Sequence, residues 1–201
     1  MTEKDKKIIQ KIKNNKVGVL ATDTLYGLVG SAFSTKAVKN IYDLKKRNPK
    51  KPLIVLISEF DDIFDFEIRI DNNVKRFLKK VWPGKISVIL TCKSKEFNYI
   101  HKGKKSIAFR MPDKKDLRQI IKKTGPIVAP SANLEGQLPA KKISEAKKYF
   151  GLKVDFYKNE GKLESKPSTV IKIKDNKIKV LRKGEASIEN ISNIKLDEKI
   201  L

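Results

Sequence analysis

The chain has 201 residues, of which 39% are apolar, and its 46 basic and 23 acidic side chains give a formal net charge of +23. A single cysteine excludes an internal disulfide and a multi-cysteine metal site, and a single histidine excludes a histidine-rich metal site or a histidine-based triad. The charged first residues and the lack of any apolar run of about 18 residues favour a cytoplasmic protein with neither a signal peptide nor a membrane span.

The first part of the chain predicts alternating helices and strands. Isoleucines at helical spacing predict a helix over 4–13, and the apolar run VGVLA predicts a central strand over 17–21. Ser34 or Thr35 caps a second helix, which ends close to Arg47 because Pro49 disfavours helical geometry at the preceding residue. We also expect a core strand over 53–57 and a helix over 72–81.

The second part continues the alternation and sets the fold class. We expect strands over 86–91, 106–110 and 127–129, helices over 114–123 and 143–150, and an extended segment over 154–157. Strands over 169–174 and 177–181 flank Asp175 and Asn176, which suit a two-residue hairpin turn. This order predicts the α/β class, with a twisted, open, mixed β-sheet and flanking helices. We expect residues 1–201 to form one such domain.

Two single residues have simple interpretations. Cys92 lies in the apolar run ISVILTC, which predicts a buried, unreactive thiol. His101 lies between NYI and KGKK, which predicts a surface loop.

The net charge itself has two explanations. A basic surface attracts nucleic acid at long range, but the charge is also typical of compositional drift towards lysine over solvated faces. Only six of the basic residues are arginines, whose rigid fork matches phosphate and carboxylate. The arginines are therefore more informative than the lysines. They are Arg47, Arg69, Arg76, Arg110, Arg118 and Arg182.

Four polar clusters lie where the chain leaves or enters a predicted strand. They are the segment TDTLYG over 22–27, the basic run with Lys45, Arg47 and Lys51, the strand with Ser106 and Arg110, and the segment APSAN with Ser131 and Asn133. Taken one at a time, they are typical of a turn or cap, a solvated loop, a rim charge and an Asx turn. Ser106 and Arg110 are four residues apart on one strand and therefore point to the same face.

Together the clusters predict an anion site. Ligands of open α/β sheets bind at strand ends, and a site of Lys, Arg, Ser, Thr and Asn without paired carboxylates suits a negatively charged ligand such as a polyphosphate. The sequence has no GxxxxGK[ST] motif and no GxGxxG motif after a strand. A nucleotide would therefore be held by side-chain cations and hydroxyls.

Seven ordered motifs resemble those of the Sua5/YrdC family of L-threonylcarbamoyladenylate synthases. They are TDTLYGL, K-x-R followed by KPLIVLIS, VWPGKISVIL, IAFRMPD, PIVAPSANLEG, PSTVI and VLRKG, and they extend over about 17–184. The resemblance implies a reaction that converts L-threonine, bicarbonate and ATP, with Mg²⁺ arriving on ATP, to threonylcarbamoyl-AMP and pyrophosphate. It also implies that the product feeds t6A modification at position 37 of tRNA. The implied fold has a large, positively charged concave cavity, in a short form without the extra C-terminal domain of longer members.

The resemblance also assigns site residues. It implies catalytic roles for Lys45, Arg47, Ser131 and Asn133, with no metal held by protein side chains. It implies that L-threonine is held by Thr24, Arg110, Ala129 and Ser168. It implies that the nucleotide is contacted by Arg47, Lys51, Ser106, Ser131 and Arg182.

The sequence departs from the family pattern at three places. Leu56 stands where some members have a histidine near the threonine. Leu138, Pro139 and Ala140 replace the usual Ser-Pro-Thr, and Asn48 replaces a proline that commonly follows the K-x-R motif.

Two other functions stay open at this point. The chain could be a non-catalytic module that binds double-stranded RNA or tRNA by shape and charge, or a related carbamoyl-handling enzyme with another acceptor. For the synthase we expect handover of the labile adenylate to a partner transferase, with direct contact to tRNA as a further possibility.

Overall fold

A computed structural model describes residues 1–174 and 177–187 of the chain. The helices in these ranges are α1 (Glu3–Lys13), α2 (Thr35–Lys45), α3 (Asn72–Val81), α4 (Asn98–His101), α5 (Lys115–Thr124) and α6 (Ile143–Phe150). The strands are β1 (Gly18–Ala21), β2 (Tyr26–Ser31), β3 (Ile54–Leu56), β4 (Ile86–Thr91), β5 (Ser106–Arg110), β6 (Ile127–Val128), β7 (Phe156–Tyr157), β8 (Thr169–Lys174) and β9 (Lys177–Arg182). Short 3-10 helices span Phe60–Phe66 and Lys95–Phe97.

The strands form one mixed sheet in the order β7-β1-β2-β6-β3-β5-β4-β8-β9. The pairs β1–β7, β3–β5 and β4–β8 are parallel, and the other neighbours are antiparallel. The predicted α/β class with an open mixed sheet is thus confirmed. So is the antiparallel pairing of β8 with β9, although Asp175 and Asn176 lie outside the described residues.

Side-chain caps explain where three helices begin. Thr2 and Asp5 form a capping box at α1, and the hydroxyl of Ser34 accepts the N–H of Ala37 at 3.1 Å at α2. At α3 the carboxylate of Asp71 accepts the N–H of Val74 at 2.8 Å. Each cap satisfies an N–H that the first helical turn leaves without a partner.

Strand β2, which the sequence pattern did not predict, lies between β1 and β6 in the sheet. Its sequence YGLVGS contains two glycines, and glycine is depleted in strands because it loses more conformational entropy there. At Gly30 a Cβ would meet Ala37 at 3.2 Å and Val17 at 3.3 Å. The absence of a side chain therefore lets α2 pack closely against the sheet.

Two hydrophobic clusters cover the two faces of the sheet. The smaller one packs α1 and α5 against a face that carries Leu20, Leu56 and Ile127. Ile54 and Ala129 lie at the edge of that cluster and are only partly buried. The two helices thus cover only part of this face, and the uncovered part forms the floor of a cavity.

Two predictions about single residues have different outcomes. Cys92 is buried, as predicted, and its burial raises the pKa of the thiol. The prediction that His101 lies in a surface loop is wrong, because His101 is the last residue of helix α4 and is only 3% exposed. One ring nitrogen lies 3.1 Å from the carbonyl of Ser94, and the other accepts the N–H of Gly103.

None of the helices within residues 1–174 and 177–187 combines the length and the apolarity that a membrane crossing requires.

Candidate active site

A cavity of about 780 Å³, counting the space at its open mouth, lies on the uncovered part of the sheet. It is bounded by the β1–β2 connection, the end of β5, the segment after β6, and the start of β8 beside the end of β9. The charged side chains among its described lining residues are Arg47, Arg110 and Arg182.

The cavity brings together seven of the residues selected from the sequence. All four in the predicted threonine set line it, together with three of the predicted nucleotide set. These residues are Thr24, Arg110, Ala129, Ser168, Arg47, Ser131 and Arg182. Because they come from distant parts of the chain, the fold assembles them on one surface, as the anion-site hypothesis requires.

Arg110 is the most deeply placed cation of the cavity, with 4% of its surface exposed. One guanidinium nitrogen lies 3.3 Å from a carboxylate oxygen of Asp23 and donates to the hydroxyl of Thr24 at 3.1 Å. Its Nε has no hydrogen-bond partner among the described residues. Burial lowers the pKa of Arg110 from its usual value, and Asp23 opposes that effect. The site therefore contains a desolvated cation with donor capacity left over.

The TDT turn positions the hydroxyl that faces Arg110. The hydroxyl of Thr22 accepts the N–H groups of Thr24 and Leu25, each at 3.1 Å, and donates to the carbonyl of Leu25 at 2.7 Å. The two threonine hydroxyls lie 3.0 Å apart. This turn orients Thr24 towards the cavity without help from a ligand.

Ser168 and Arg182 form another part of the cavity lining. The guanidinium of Arg182 donates to the carbonyl of Ser168 at 2.8 Å and to its hydroxyl at 3.2 Å. The hydroxyl of Ser168 also lies 2.9 Å from that of Ser87 in β4. Contacts from two strands thus fix the Ser168 side chain in one position.

Lys45 does not line the cavity. It is 2% exposed, and its ammonium donates to the carbonyl of Ser131 at 2.5 Å, the carbonyl of Asn133 at 2.7 Å and the Oδ1 of Asn133 at 3.2 Å. All three of its protons therefore have acceptors within the protein. Lys45, for which the resemblance implies a catalytic role, is therefore not at the cavity surface, because its ammonium lies behind the wall that Ser131 forms.

The same contacts define the segment after β6. The Ser131 hydroxyl donates to Oδ1 of Asn133 at 2.6 Å, and the Asn133 amide nitrogen donates to the carbonyls of Leu134 and Gln137, each at 2.8 Å. Asn133 is buried and does not line the cavity. Of the four residues with implied catalytic roles, Arg47 and Ser131 therefore face the cavity, while Lys45 and Asn133 hold the wall in place.

Helical spacing could have identified the buried position of Lys45. In α2 the buried residues are Ala37, Val38, Ile41, Tyr42 and Lys45. Lys45 is four residues from Ile41 and seven from Val38, which places it on the apolar stripe. Its basic neighbours Lys46 and Arg47 lie beyond the helix.

The two other predicted nucleotide contacts lie outside the cavity lining. Lys51 is exposed and forms an ion pair with Glu135. Ser106 lies at the start of β5, at the opposite end of that strand from Arg110, and its hydroxyl donates to the carbonyl of Lys104 at 3.3 Å. Of these two residues, only Lys51 is next to a lining residue, Pro52.

The pKa of Lys45 predicts a pH dependence of stability. Burial and the nearby Arg47 lower this pKa from its ordinary value of 10.5 to about 7, with Glu135 opposing the shift. Between these two values the unfolded chain binds more protons than the folded protein, so this group makes unfolding harder as pH rises. We expect the free energy of unfolding of the wild type, minus that of Lys45→Met, to increase from pH 7 to pH 10 in urea titrations. A difference that stays constant or decreases over this range would contradict the assignment.

Within the described ranges, no three His, Cys, Asp or Glu side chains lie together in a way that could hold a metal ion.

Comparison with known proteins places this architecture in a family. The Sua5/YciO/YrdC family model, described as "Telomere recombination", matches residues 10–184. A putative threonylcarbamoyl-AMP synthase of Methanocaldococcus jannaschii is 32% identical over 195 residues, which are 94% of this chain and 92% of that relative. The threonylcarbamoyl-AMP synthase of Bacillus subtilis is 38% identical over 128 residues, but these are only 63% of this chain and 37% of the relative.

Solved structures agree with that placement. The crystal structure of P. abyssi Sua5 complexed with L-threonine has a TM-score of 0.87 and 28% identity, covering 95% of this chain and 57% of that one. This chain thus spans little more than half the length of the P. abyssi protein. E. coli YciO has a TM-score of 0.82 at 22% identity, covers 93% of this chain and 92% of its own, and shows the shared fold. Because the family model extends over most of the sequence, this chain belongs to the Sua5/YciO/YrdC family.

Proposed function

We propose that this protein synthesises L-threonylcarbamoyl-AMP from L-threonine, bicarbonate and ATP with release of pyrophosphate, and that the product serves t6A modification at position 37 of tRNA. The observation that carries the proposal is that the complete predicted threonine set and three arginines line one cavity. Relatives named threonylcarbamoyl-AMP synthase and a related structure complexed with L-threonine support it.

The proposed chemistry has two steps and requires no protein nucleophile. The neutral amine of threonine attacks CO2, with release of a proton, or bicarbonate, with release of water, and either route gives a carbamate. A carbamate oxygen then attacks the α-phosphate of ATP, and the bond to the β-phosphate breaks to release pyrophosphate. The protein must bring a carboxylate, a carbamate and a triphosphate close together, and these anions repel strongly where water is excluded.

Arg110 is the residue proposed to hold the threonine carboxylate. A guanidinium binds a carboxylate through two parallel hydrogen bonds, and Arg110 lines the cavity. Asp23 keeps it charged and in place. Thr24 and Ser168, which also line the cavity, supply hydroxyls for the remaining polar groups of the amino acid.

Arg47 and Arg182 are the cations proposed for the phosphates. Both line the cavity, and Arg47 is held by donation from its guanidinium to the carbonyl of Pro52 at 2.8 Å. Fixed donors directed at charge that grows during phosphoryl transfer lower the barrier, and loss of one such donor costs roughly 3 kcal/mol. Mg²⁺ enters as part of the ATP substrate.

One assay tests the proposal. Purified protein is incubated with Mg²⁺-ATP and bicarbonate, with and without L-threonine, and pyrophosphate and the nucleotide product are measured. We expect pyrophosphate release that depends on both threonine and bicarbonate, with a product whose mass matches threonylcarbamoyl-AMP. Salt-sensitive binding of double-stranded RNA without turnover would instead favour the non-catalytic RNA-binding module.

A further inference from the structure

Glu135 joins the segment after β6 to the basic 45–51 segment. Its backbone N–H donates to the carbonyl of Lys45 at 2.9 Å, at the end of α2. One carboxylate oxygen accepts the backbone N–H of Asn48 at 2.5 Å, and the other forms the ion pair with Lys51. A residue that follows β6 thus contacts the basic 45–51 segment at three points.

The contact with Asn48 is made by its backbone N–H. A proline at this position would have no N–H and could not donate to a carboxylate. In this chain Asn48 supplies that donor, and its own side chain accepts the N–H of Lys50 at 2.9 Å. One oxygen of Glu135 is therefore fixed by the backbone, independently of Lys51.

Lys51 differs from the arginines of the cavity in how freely it can change partners. Its side chain is 57% exposed, and it precedes Pro52, which lines the cavity. A lysine ammonium on a flexible stem reorients readily, whereas the guanidinium of Arg47 is held by donation to the carbonyls of Lys51 and Pro52. Lys51 can therefore turn towards an anion while the backbone of its segment stays in place.

The charge balance of the segment supports such an exchange. The hydrogen bond from Lys51, followed by that from Asn48, lowers the pKa of Glu135, so the carboxylate is charged at neutral pH. Polyphosphate and carboxylate are both anions, and they compete for the same ammonium. Without a ligand, Glu135 is the partner that Lys51 contacts.

We propose that Glu135 is a positioning residue of the anion site, which holds the Lys51 ammonium in the free protein and is displaced from it by a bound polyphosphate. The Asn48 N–H keeps the carboxylate in place when Lys51 leaves. This inference rests on the proposed function only in taking the cavity to bind a polyphosphate. As a consequence, Glu135 weakens anion binding but keeps the 45–51 segment ordered.

The test measures binding of inorganic triphosphate by calorimetry at low salt to the wild type, Glu135→Gln, Lys51→Gln and the double variant. Glutamine keeps an oxygen that can accept from Asn48 but removes the competing charge. We expect Glu135→Gln to lower the dissociation constant by about threefold to fivefold, as suits an exposed ion pair. We expect Lys51→Gln to raise it, and Glu135→Gln to have almost no effect in the Lys51→Gln background.

The control is Glu3→Gln, which removes the same charge from an exposed ion pair with Lys6 in α1. If Glu135 had a purely structural role, its replacement would weaken triphosphate binding. If Glu135 competes with triphosphate for Lys51, its replacement strengthens triphosphate binding. Equal tightening in both Lys51 backgrounds, weaker binding by Glu135→Gln, or no binding of triphosphate by the wild type would each overturn the proposal. Because the measurement contains no threonine, it stays interpretable if the synthase assay fails.

Discussion

Arg110→Lys is expected to lower the affinity for L-threonine by about a hundredfold and to reduce threonine-dependent pyrophosphate release by at least as much. Lysine keeps a positive charge beside Asp23 but lacks the planar fork that binds a carboxylate through two hydrogen bonds. The side chains of Arg110 and Asp23 are 5% and 4% exposed, so the cation, besides its proposed role towards the ligand, compensates the buried charge of its neighbour. Threonine binding is measured by calorimetry, separately from turnover.

Arg110→Leu separates these two requirements. It leaves the Asp23 carboxylate buried without its cation, and we expect the free energy of unfolding to fall by about 3–5 kcal/mol in urea titrations. The matched control for Arg110→Lys is Arg118→Lys, because Arg118 pairs with Asp113 outside the described cavity lining. Unchanged threonine affinity in Arg110→Lys would remove Arg110 from the amino-acid site.

The elements that sequence reasoning identified are those whose local signals agree with their tertiary environment. The helix over 72–81 was predicted with the bounds found in α3, because Val74, Phe77, Leu78 and Val81 form one apolar stripe that is buried. In β2, by contrast, glycines weaken the local strand signal, and one of them, Gly30, is required by packing between α2 and the sheet. Local propensity and tertiary packing conflict there, and packing determines the structure.

In the site, too, the sequence predicts residue type better than it predicts the environment of each residue. Motif order identified seven of the residues that line the cavity, but it did not distinguish a lysine at the cavity surface from one that lies behind its wall. Asp23 and Glu135 were not selected as site residues, although both contact cations that were. An acidic residue beside a functional motif in a chain of net charge +23 is a signal that could have identified them. Which cation each one pairs with depends on contacts between distant segments.

Lys45 is the second position where we expect a substitution to have a large effect on activity, because its side chain holds the cavity wall in place. Lys45→Met keeps similar volume but leaves the carbonyls of Ser131 and Asn133 without the ammonium that joins them. We expect pyrophosphate release to fall at least a hundredfold, because small displacements of groups at a reacting centre are costly. We also expect faster amide hydrogen exchange at Ala132 and Asn133, whose N–H groups donate to the carbonyls of Tyr26 and Ser131.

The variant Arg47→Ala distinguishes a residue that supports the cavity wall from one that contacts the substrate. Arg47 lines the cavity, so we expect its replacement to lower turnover at least tenfold while exchange at Ala132 and Asn133 stays at the wild-type rate. If Lys45→Met instead lost activity with unchanged exchange at these amides, the ammonium would act on the substrate directly. The buried lysine would then be a ligand-binding group, and its three acceptors within the protein would have to give way to phosphate during the reaction.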